Sequence, residues 1–218
     1  MFIAFVGAMD IEVTEMIASL KNVKKEEYRG YTFYIGERGT NTVVATTSGV
    51  GKVNMAVTMT ILLDRYHVDY VINSGIAGSV DTKINSTCIS TEVAYYDFII
   101  PGYNYSVPHH PNPYKPSIDI LNAAKSLLKD DCLFGKIISG DRFVTSINDL
   151  GDYDTKGVVA VDMESAAVAQ VCYLFSTDFI IIRSISDNFS DDEYIFNEKA
   201  ASEKSFKIAS KFIDNYKK

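Results

Sequence analysis

Two short apolar runs, Val158 to Val161 and Phe179 to Ile182, flank a stretch with amphipathic helical spacing, and each run leads into acids. Short apolar runs bounded in this way read as buried strands, so the unit is strand–helix–strand. The first strand leads into Asp162-Met163-Glu164-Ser165, and the second into Arg183-Ser184-Ile185-Ser186-Asp187. Such a unit places Glu164 and Asp187 at adjacent strand ends. Open α/β sheets bind ligands in the crevice beyond those ends.

The rest of the chain extends the alternation. Phe2 to Val6 is a first strand, and a helix follows from about Met9 to Leu20 with acids in its first turns. Tyr31 to Glu37 and Thr42 to Thr47 flank Arg38-Gly39-Thr40-Asn41, which predicts an antiparallel hairpin. A helix from Lys52 to Tyr66 leads to a strand at Tyr70 to Asn73, and another strand covers Thr87 to Ala94. Pro101 to Pro116 is proline-rich, contains His109 and His110, and reads as a long loop. A helix from Ser117 to Lys129, a strand from Gly135 to Ser139, the strand–helix–strand unit and a helix from Asn197 complete the chain. The prediction is an α/β protein: a single three-layer α/β/α domain over residues 1–218 with a mixed, mostly parallel central sheet.

Composition narrows the classes of function. The chain has 218 residues and a formal charge of −7, so it offers no basic footprint for nucleic acid. Cys88, Cys132 and Cys172 form no CxxC pair, which speaks against a disulfide framework or a zinc site and for a reducing compartment. The apolar start, Met1 to Val6, lacks a basic leader segment, and no apolar stretch reaches membrane-spanning length. A cytoplasmic protein without a membrane or nucleic-acid partner is expected. Lys24-Lys25-Glu26-Glu27 reads as a solvated loop or helix end, and Asp191, Asp192 and Glu193 as a solvated loop.

Individual motifs each admit a plain structural reading. Gly49-Val50-Gly51-Lys52 resembles a piece of a phosphate loop, but Val53 stands where Ser or Thr is needed and Thr46 where Gly is needed. It reads as a glycine turn opening a helix. Glu12, like Asp10, suits a helix N-terminus, yet it lies just past the carboxyl end of the first strand. Asp162 and Glu164, two apart, cannot share a helix face: either one caps the helix while the other points into the crevice, or both serve capping. Arg183 calls for an acidic partner, with Glu164 the candidate. Asp187 either caps a turn or works in the crevice. Phe143 is core or a stacking surface for a flat base. His67, His109 and His110 lack ligand spacing, and no serine lies in G-x-S-x-G.

Six segments taken together resemble the 5′-methylthioadenosine/S-adenosylhomocysteine nucleosidases of the nucleoside phosphorylase superfamily. They are Gly7-Ala8-Met9-Asp10-Ile11-Glu12, Ser48-Gly49-Val50-Gly51-Lys52, Asn73-Ser74-Gly75-Ile76-Ala77-Gly78, Ser139-Gly140-Asp141-Arg142-Phe143, Val161-Asp162-Met163-Glu164 and Arg183-Ser184-Ile185-Ser186-Asp187. They occur in the family's order and span nearly the whole chain. The resemblance implies a nucleoside phosphorylase-like fold and hydrolysis of the N9–C1′ bond of a 5′-thio-adenosine, with no metal or cofactor. By position, Glu12 is the implied base that activates water, and Asp187 the acid that protonates adenine N7, with Ser186 helping to position it. Glu164 would hold the ribose hydroxyls, oriented by Arg183. Met9 and Met163 would pack against the sugar, Phe143 would stack on adenine, and the Val144 backbone would read its edge. Ile76, Ala77 and Gly78 would line the site.

The chain also departs from the family pattern. Ile76 replaces a small, usually polar residue, and Asp162 stands where Glu is common. The stretch Phe98 to Pro116 is shorter and richer in proline. In relatives that loop crosses a homodimer to cap the 5′ pocket, which makes Ile100, Pro101 and Tyr103 candidates for the cap. Tyr194 and Phe196 are alternative candidates for closing the site. Competing readings are a phosphorylase that uses Arg38 or Arg142 for phosphate, a non-catalytic nucleoside-binding module, and a dinucleotide-binding oxidoreductase. The incomplete glycine fingerprint opposes the last.

Overall fold

The computed structural model describes residues 1–98 and 113–217. The strands among them are β1 (Phe2–Gly7), β2 (Lys21–Tyr28), β3 (Tyr31–Arg38), β4 (Asn41–Thr47), β5 (Tyr70–Gly78), β6 (Thr87–Tyr95), β7 (Leu133–Ser139), β8 (Val158–Asp162) and β9 (Asp178–Asp187). The α-helices are α1 (Asp10–Ser19), α2 (Lys52–Arg65), α3 (Ile118–Leu128), α4 (Ser165–Leu174) and α5 (Asp191–Asn215). Ile100, Pro101, Tyr103, His109 and His110 lie outside the described residues.

The sheet is buried on both faces, which is why its inner strands read as continuous apolar runs. Along β1, Ala4 and Val6 face a core built with Met55, Met59 and Leu62 of α2 and Val168 and Cys172 of α4. Ile3 and Phe5 face the opposite core, built with Val13 and Met16 of α1, Ile120 and Ala124 of α3, and Phe212 and Ile213 of α5. This is the expected three-layer α/β/α arrangement. The β3–β4 hairpin is antiparallel, and β4 then runs parallel to β1.

Three expectations are corrected. Lys24 to Glu27 are neither loop nor helix end: they belong to β2, an exposed edge strand paired antiparallel to β3. Its charged side chains hide the strand from a hydrophobic pattern and protect the edge from mispairing. The C-terminal helix begins at Asp191, six residues before Asn197. Ser190 Oγ caps it by accepting the Glu193 N–H, and Asp191, Asp192 and Glu193 sit where the helix dipole favours acids.

The third correction concerns the sheet itself. It is not an open sheet with β8 beside β9. β5 pairs parallel with β9, β9 antiparallel with β6, β6 parallel with β7, and β7 parallel with β8. One antiparallel pair, Gly78 with Val161, joins β8 back to β5. The strands therefore close into a barrel-like ring, and β5 stands between β8 and β9. Closure brings the ends of β1, β5, β8 and β9 to one place. A register shift between Ala77 and Gly78 sets Gly78 opposite Asp187, leaving Ser186 as the extra residue. Such bulges re-aim side chains.

Candidate active site

Those strand ends line a cleft enclosing about 610 Å³ of empty space, its open mouth included. Of the residues the resemblance assigns to catalysis, the ribose or the base, all but Arg183 border it: Glu12 and Asp187, Met9 and Met163, Ile76, Ala77 and Gly78, Phe143 and Val144, Glu164 and Ser186. Arg183 lies buried beneath it.

Glu12 enters from the first turn of α1, three residues past the helix cap Met9. Its side chain turns back, so that Oε2 accepts the N–H groups of Ala8 at 2.7 Å and Met9 at 3.0 Å. Oε1 accepts the Ile76 N–H of β5 at 3.0 Å. The side chain thus closes the N-terminus of α1 and also borders the cleft. Burial pushes its carboxyl up, while Arg183 and the three N–H donors pull it down. Gly75 is required by this packing. A Cβ there would stand 2.3 Å from Glu12 Oε1 and 3.1 Å from an Arg183 guanidinium nitrogen.

Arg183 does not pair with Glu164, as the chain alone suggested. Its Nε donates to Asp162 Oδ2 at 2.6 Å, and a terminal nitrogen donates to Asn73 Oδ1 at 2.6 Å. The register explains the choice. Asp162 is the last residue of β8 and points inward, whereas Glu164 lies past the strand at the N-cap of α4. Asp162 also accepts the hydroxyls of Ser139 and Ser165 and the N–H groups of Glu164 and Ser165. It is the capping acid of the pair, and Glu164 is the one free to face the cleft.

Glu164 Oε1 accepts the Gly51 N–H at 2.8 Å. Burial and then the Asp162 charge push its carboxyl up to about 7, against Arg183 and the Gly51 N–H. Asp187 is buried and doubly held: Oδ2 accepts the Ser186 hydroxyl at 2.8 Å, and Oδ1 accepts the Phe189 N–H at 2.9 Å. Burial raises its carboxyl above the usual range, opposed by those hydrogen bonds.

The mouth is aromatic. Phe143 is 42% exposed, and Tyr194 of α5 meets it edge-on with ring centres 5.2 Å apart. The Tyr194 hydroxyl reaches Glu198 at 3.1 Å and the Met9 sulfur at 3.7 Å. Tyr194 lines the cleft, whereas Phe196 is 87% exposed and does not. Reading of the chain missed Val50 and Phe189, which line the cleft, Gly51, which donates to Glu164, and Asn73, which accepts from Arg183. A glycine turn at a strand end was the available signal for Val50 and Gly51. Arg38 pairs with Asp214 on α5, and Arg142, at the cleft, pairs with Asp149.

A nearly closed mixed sheet with four carboxylates and an aromatic mouth at one end defines a nucleoside-handling class, and residues 2–214 match the phosphorylase superfamily. A 5′-methylthioadenosine/S-adenosylhomocysteine nucleosidase of Bacillus pumilus is 38% identical, the match covering 92% of this chain and 94% of that protein. The Colwellia psychrerythraea nucleosidase, solved in complex with adenine, has a TM-score of 0.92 at 33% identity over 98% of this chain and 95% of its own. The Neisseria meningitidis nucleosidase, solved with methylthio-immucillin-A, has a TM-score of 0.91 at 31% identity, covering 99% of each chain. The chain belongs to the 5′-methylthioadenosine/S-adenosylhomocysteine nucleosidases of that superfamily.

Proposed function

We propose that the chain hydrolyses the N9–C1′ bond of 5′-methylthioadenosine and S-adenosylhomocysteine, releasing adenine and a 5-thio-ribose, with Glu12 activating water and Asp187 protonating adenine N7. The hydrogen bonding of Glu12 carries the water-activating role. A carboxylate offers about four acceptor positions, and backbone N–H groups occupy three of those of Glu12. The remaining position, on Oε1, suits one water. The burial that raises this carboxyl also makes it a better base.

The leaving base needs a proton, because an adenine anion departs poorly. Asp187 is buried, with its carboxyl raised, so it keeps a proton to higher pH than an exposed aspartate would. Glu164, at the α4 cap, is assigned the ribose hydroxyls, and its negative charge also favours an oxocarbenium-like transition state. Met9 and Met163 supply apolar contact to the sugar. Phe143 stacks on the base, and the Val144 backbone reads its edge.

Charge supports water over phosphate. Glu12, Glu164 and Asp187 face the cleft, while Arg183 is committed to Asp162 and Arg142 to Asp149. An entering phosphate would meet more carboxylates than cations. The test is adenine release from methylthioadenosine in phosphate-free buffer and again with phosphate. Fast release without phosphate, yielding methylthioribose, is expected. Release only with phosphate, yielding a sugar 1-phosphate, overturns the role of Glu12.

The family match over residues 2–214 supports a single domain over 1–218. Three free buried cysteines support work in the cytoplasm, and no described helix is long and apolar enough to cross a membrane. A homodimer is supported by the apolar side chains exposed on α2 and at the end of α4, among them Val53, 73% exposed, with Val57, Tyr173 and Leu174. Light scattering at micromolar concentration distinguishes a dimer from a monomer.

A further inference from the structure

The Gly51 N–H that meets Glu164 belongs to a peptide with little reason of its own to point there. Gly49 and Gly51 have φ of 86° and 98°, and, lacking a Cβ, they leave the loop backbone unusually free in the unfolded chain. Its direction must be imposed from outside. The adjoining peptide is gripped by a ring of charges that lies beyond the acids assigned to the chemistry. The Lys52 N–H donates to Asp141 Oδ1 at 2.9 Å. The Asp141 N–H donates to Asp97 Oδ2 at 2.9 Å. Lys52 Nζ closes the ring on both Asp97 oxygens, at 2.7 and 2.8 Å, and lies 3.5 Å from Asp141 Oδ2. The ammonium also sits 5.3 Å from the centre of the Tyr95 ring, whose hydroxyl donates to Gln170 of α4.

As a set of ion pairs this ring would be worth little, because Asp141 is half exposed. Its geometry matters more than its charge. It ties together three segments: the start of α2, the end of β6, and the turn after β7 that continues through Arg142 to Phe143. The first segment carries the N–H that holds Glu164, and the last carries the aromatic wall.

We propose that Asp141 is a positioning residue for the ribose-binding carboxylate: by holding the Lys52 peptide it aims the Gly51 N–H at Glu164, and so fixes that side chain for the 2′- and 3′-hydroxyls. The inference rests on the ribose role given to Glu164 above. Asp141 itself need not touch substrate. The operative contact is an oxygen accepting a backbone N–H, which an asparagine can supply and an alanine cannot.

The test measures kcat/KM of Asp141→Ala, Asp141→Asn and Glu164→Gln on methylthioadenosine and on its 2′,3′-dideoxy analogue, each relative to the unsubstituted enzyme. Misplacing a positioned group costs about tenfold or more. Asp141→Ala is therefore expected to lose about tenfold on methylthioadenosine and less than about twofold on the analogue, which offers Glu164 nothing to hold. Asp141→Asn should stay within about threefold on both, because it keeps the acceptor. Equal losses of Asp141→Ala on the two substrates, or no loss on either, overturn the proposal while leaving Glu164 in its role. If Glu164→Gln itself fails to discriminate the substrates, the ribose role falls and the proposal falls with it.

Discussion

The floor and the mouth of the cleft are built on opposite principles. At the floor, Glu12, Asp162, Glu164 and Arg183 are all buried, and every one has partners from other elements. At the mouth, Phe143 and Tyr194 meet by a single ring contact between a turn and a helix, next to fully solvated side chains such as Phe196. A charge taken out of water must be matched on nearly every side, so the floor tolerates little displacement. An edge-on aromatic pair is worth about 0.5–1.5 kcal/mol and slides at low cost. The floor is suited to chemistry, and the mouth to admitting and releasing a flat ligand.

The comparison breaks first if the floor acids prove dispensable. Glu12→Gln should lower kcat by at least about a hundredfold, since an amide is no base. It also has only one oxygen with which to receive N–H donors that now reach both carboxylate oxygens. Asp187→Asn should lose at least about a hundredfold by removing the proton donor. Single-turnover rates, with circular dichroism to confirm folding, check both. A near-normal rate in either variant removes that residue from the mechanism.

Next in size is the effect of removing the buried cation. Arg183→Met leaves Asp162, Glu12 and Glu164 without their shared positive charge, and should destabilise the protein by about 3–5 kcal/mol in urea unfolding. Adding Asp162→Asn should restore part of that stability, because the orphaned charge goes with it. A loss below about 1 kcal/mol would mean that the floor is held by its hydrogen bonds and not by Arg183.

Floor and mouth also differ in how far they can be read from the chain. β1, β5, β8 and β9 are visible because burial on both faces leaves them apolar, and their acids stand out at the strand ends. What fails is what depends on distant pairing. Nothing local in Val158 to Asp162 says that Gly78 will close the ring against Val161. Nothing local tells Arg183 which of two acids, two residues apart, it will meet. β2 is hidden by its charges, and the first turn of α5 by acids that serve the helix dipole. The choice between Tyr194 and Phe196 needed the phase of a helix whose start had been misplaced by six residues.

The acids make the floor sensitive to pH in a stated direction. The Glu164 carboxyl sits at about 7 in the folded protein, above the roughly 4.5 of an exposed glutamate, and Glu12 and Asp187 are raised as well. Groups raised in this way bind protons more tightly when folded. Their contribution to stability is complete below the unfolded value and is lost as pH rises through the folded one. The melting temperature of the ligand-free protein should therefore fall between about pH 5 and about pH 8, and Glu164→Gln should flatten that slope. A slope unchanged by Glu164→Gln would place the proton elsewhere. In turnover the roles proposed above predict a bell. The rate should fall on the acid side as Glu12 and Glu164 take up protons, and on the alkaline side as Asp187 loses one.

The smallest effect belongs to the mouth and separates its two aromatic candidates. Tyr194→Ala removes the ring that meets Phe143 edge-on, and with it the hydroxyl that reaches Glu198 and Met9. Losing a contact worth about 0.5–1.5 kcal/mol should raise KM by roughly 2–12-fold and leave kcat nearly unchanged. Tyr194→Phe keeps the ring and loses only the hydroxyl contacts, so KM should change by less than about threefold, the scale of a weak net hydrogen bond. Phe196→Ala alters a side chain that is 87% exposed and borders no part of the cleft, so KM should stay within about twofold. If Phe196→Ala raised KM and Tyr194→Ala did not, the mouth would have to rearrange around substrate. Tyr194 would then be part of the resting structure and not of the closed site.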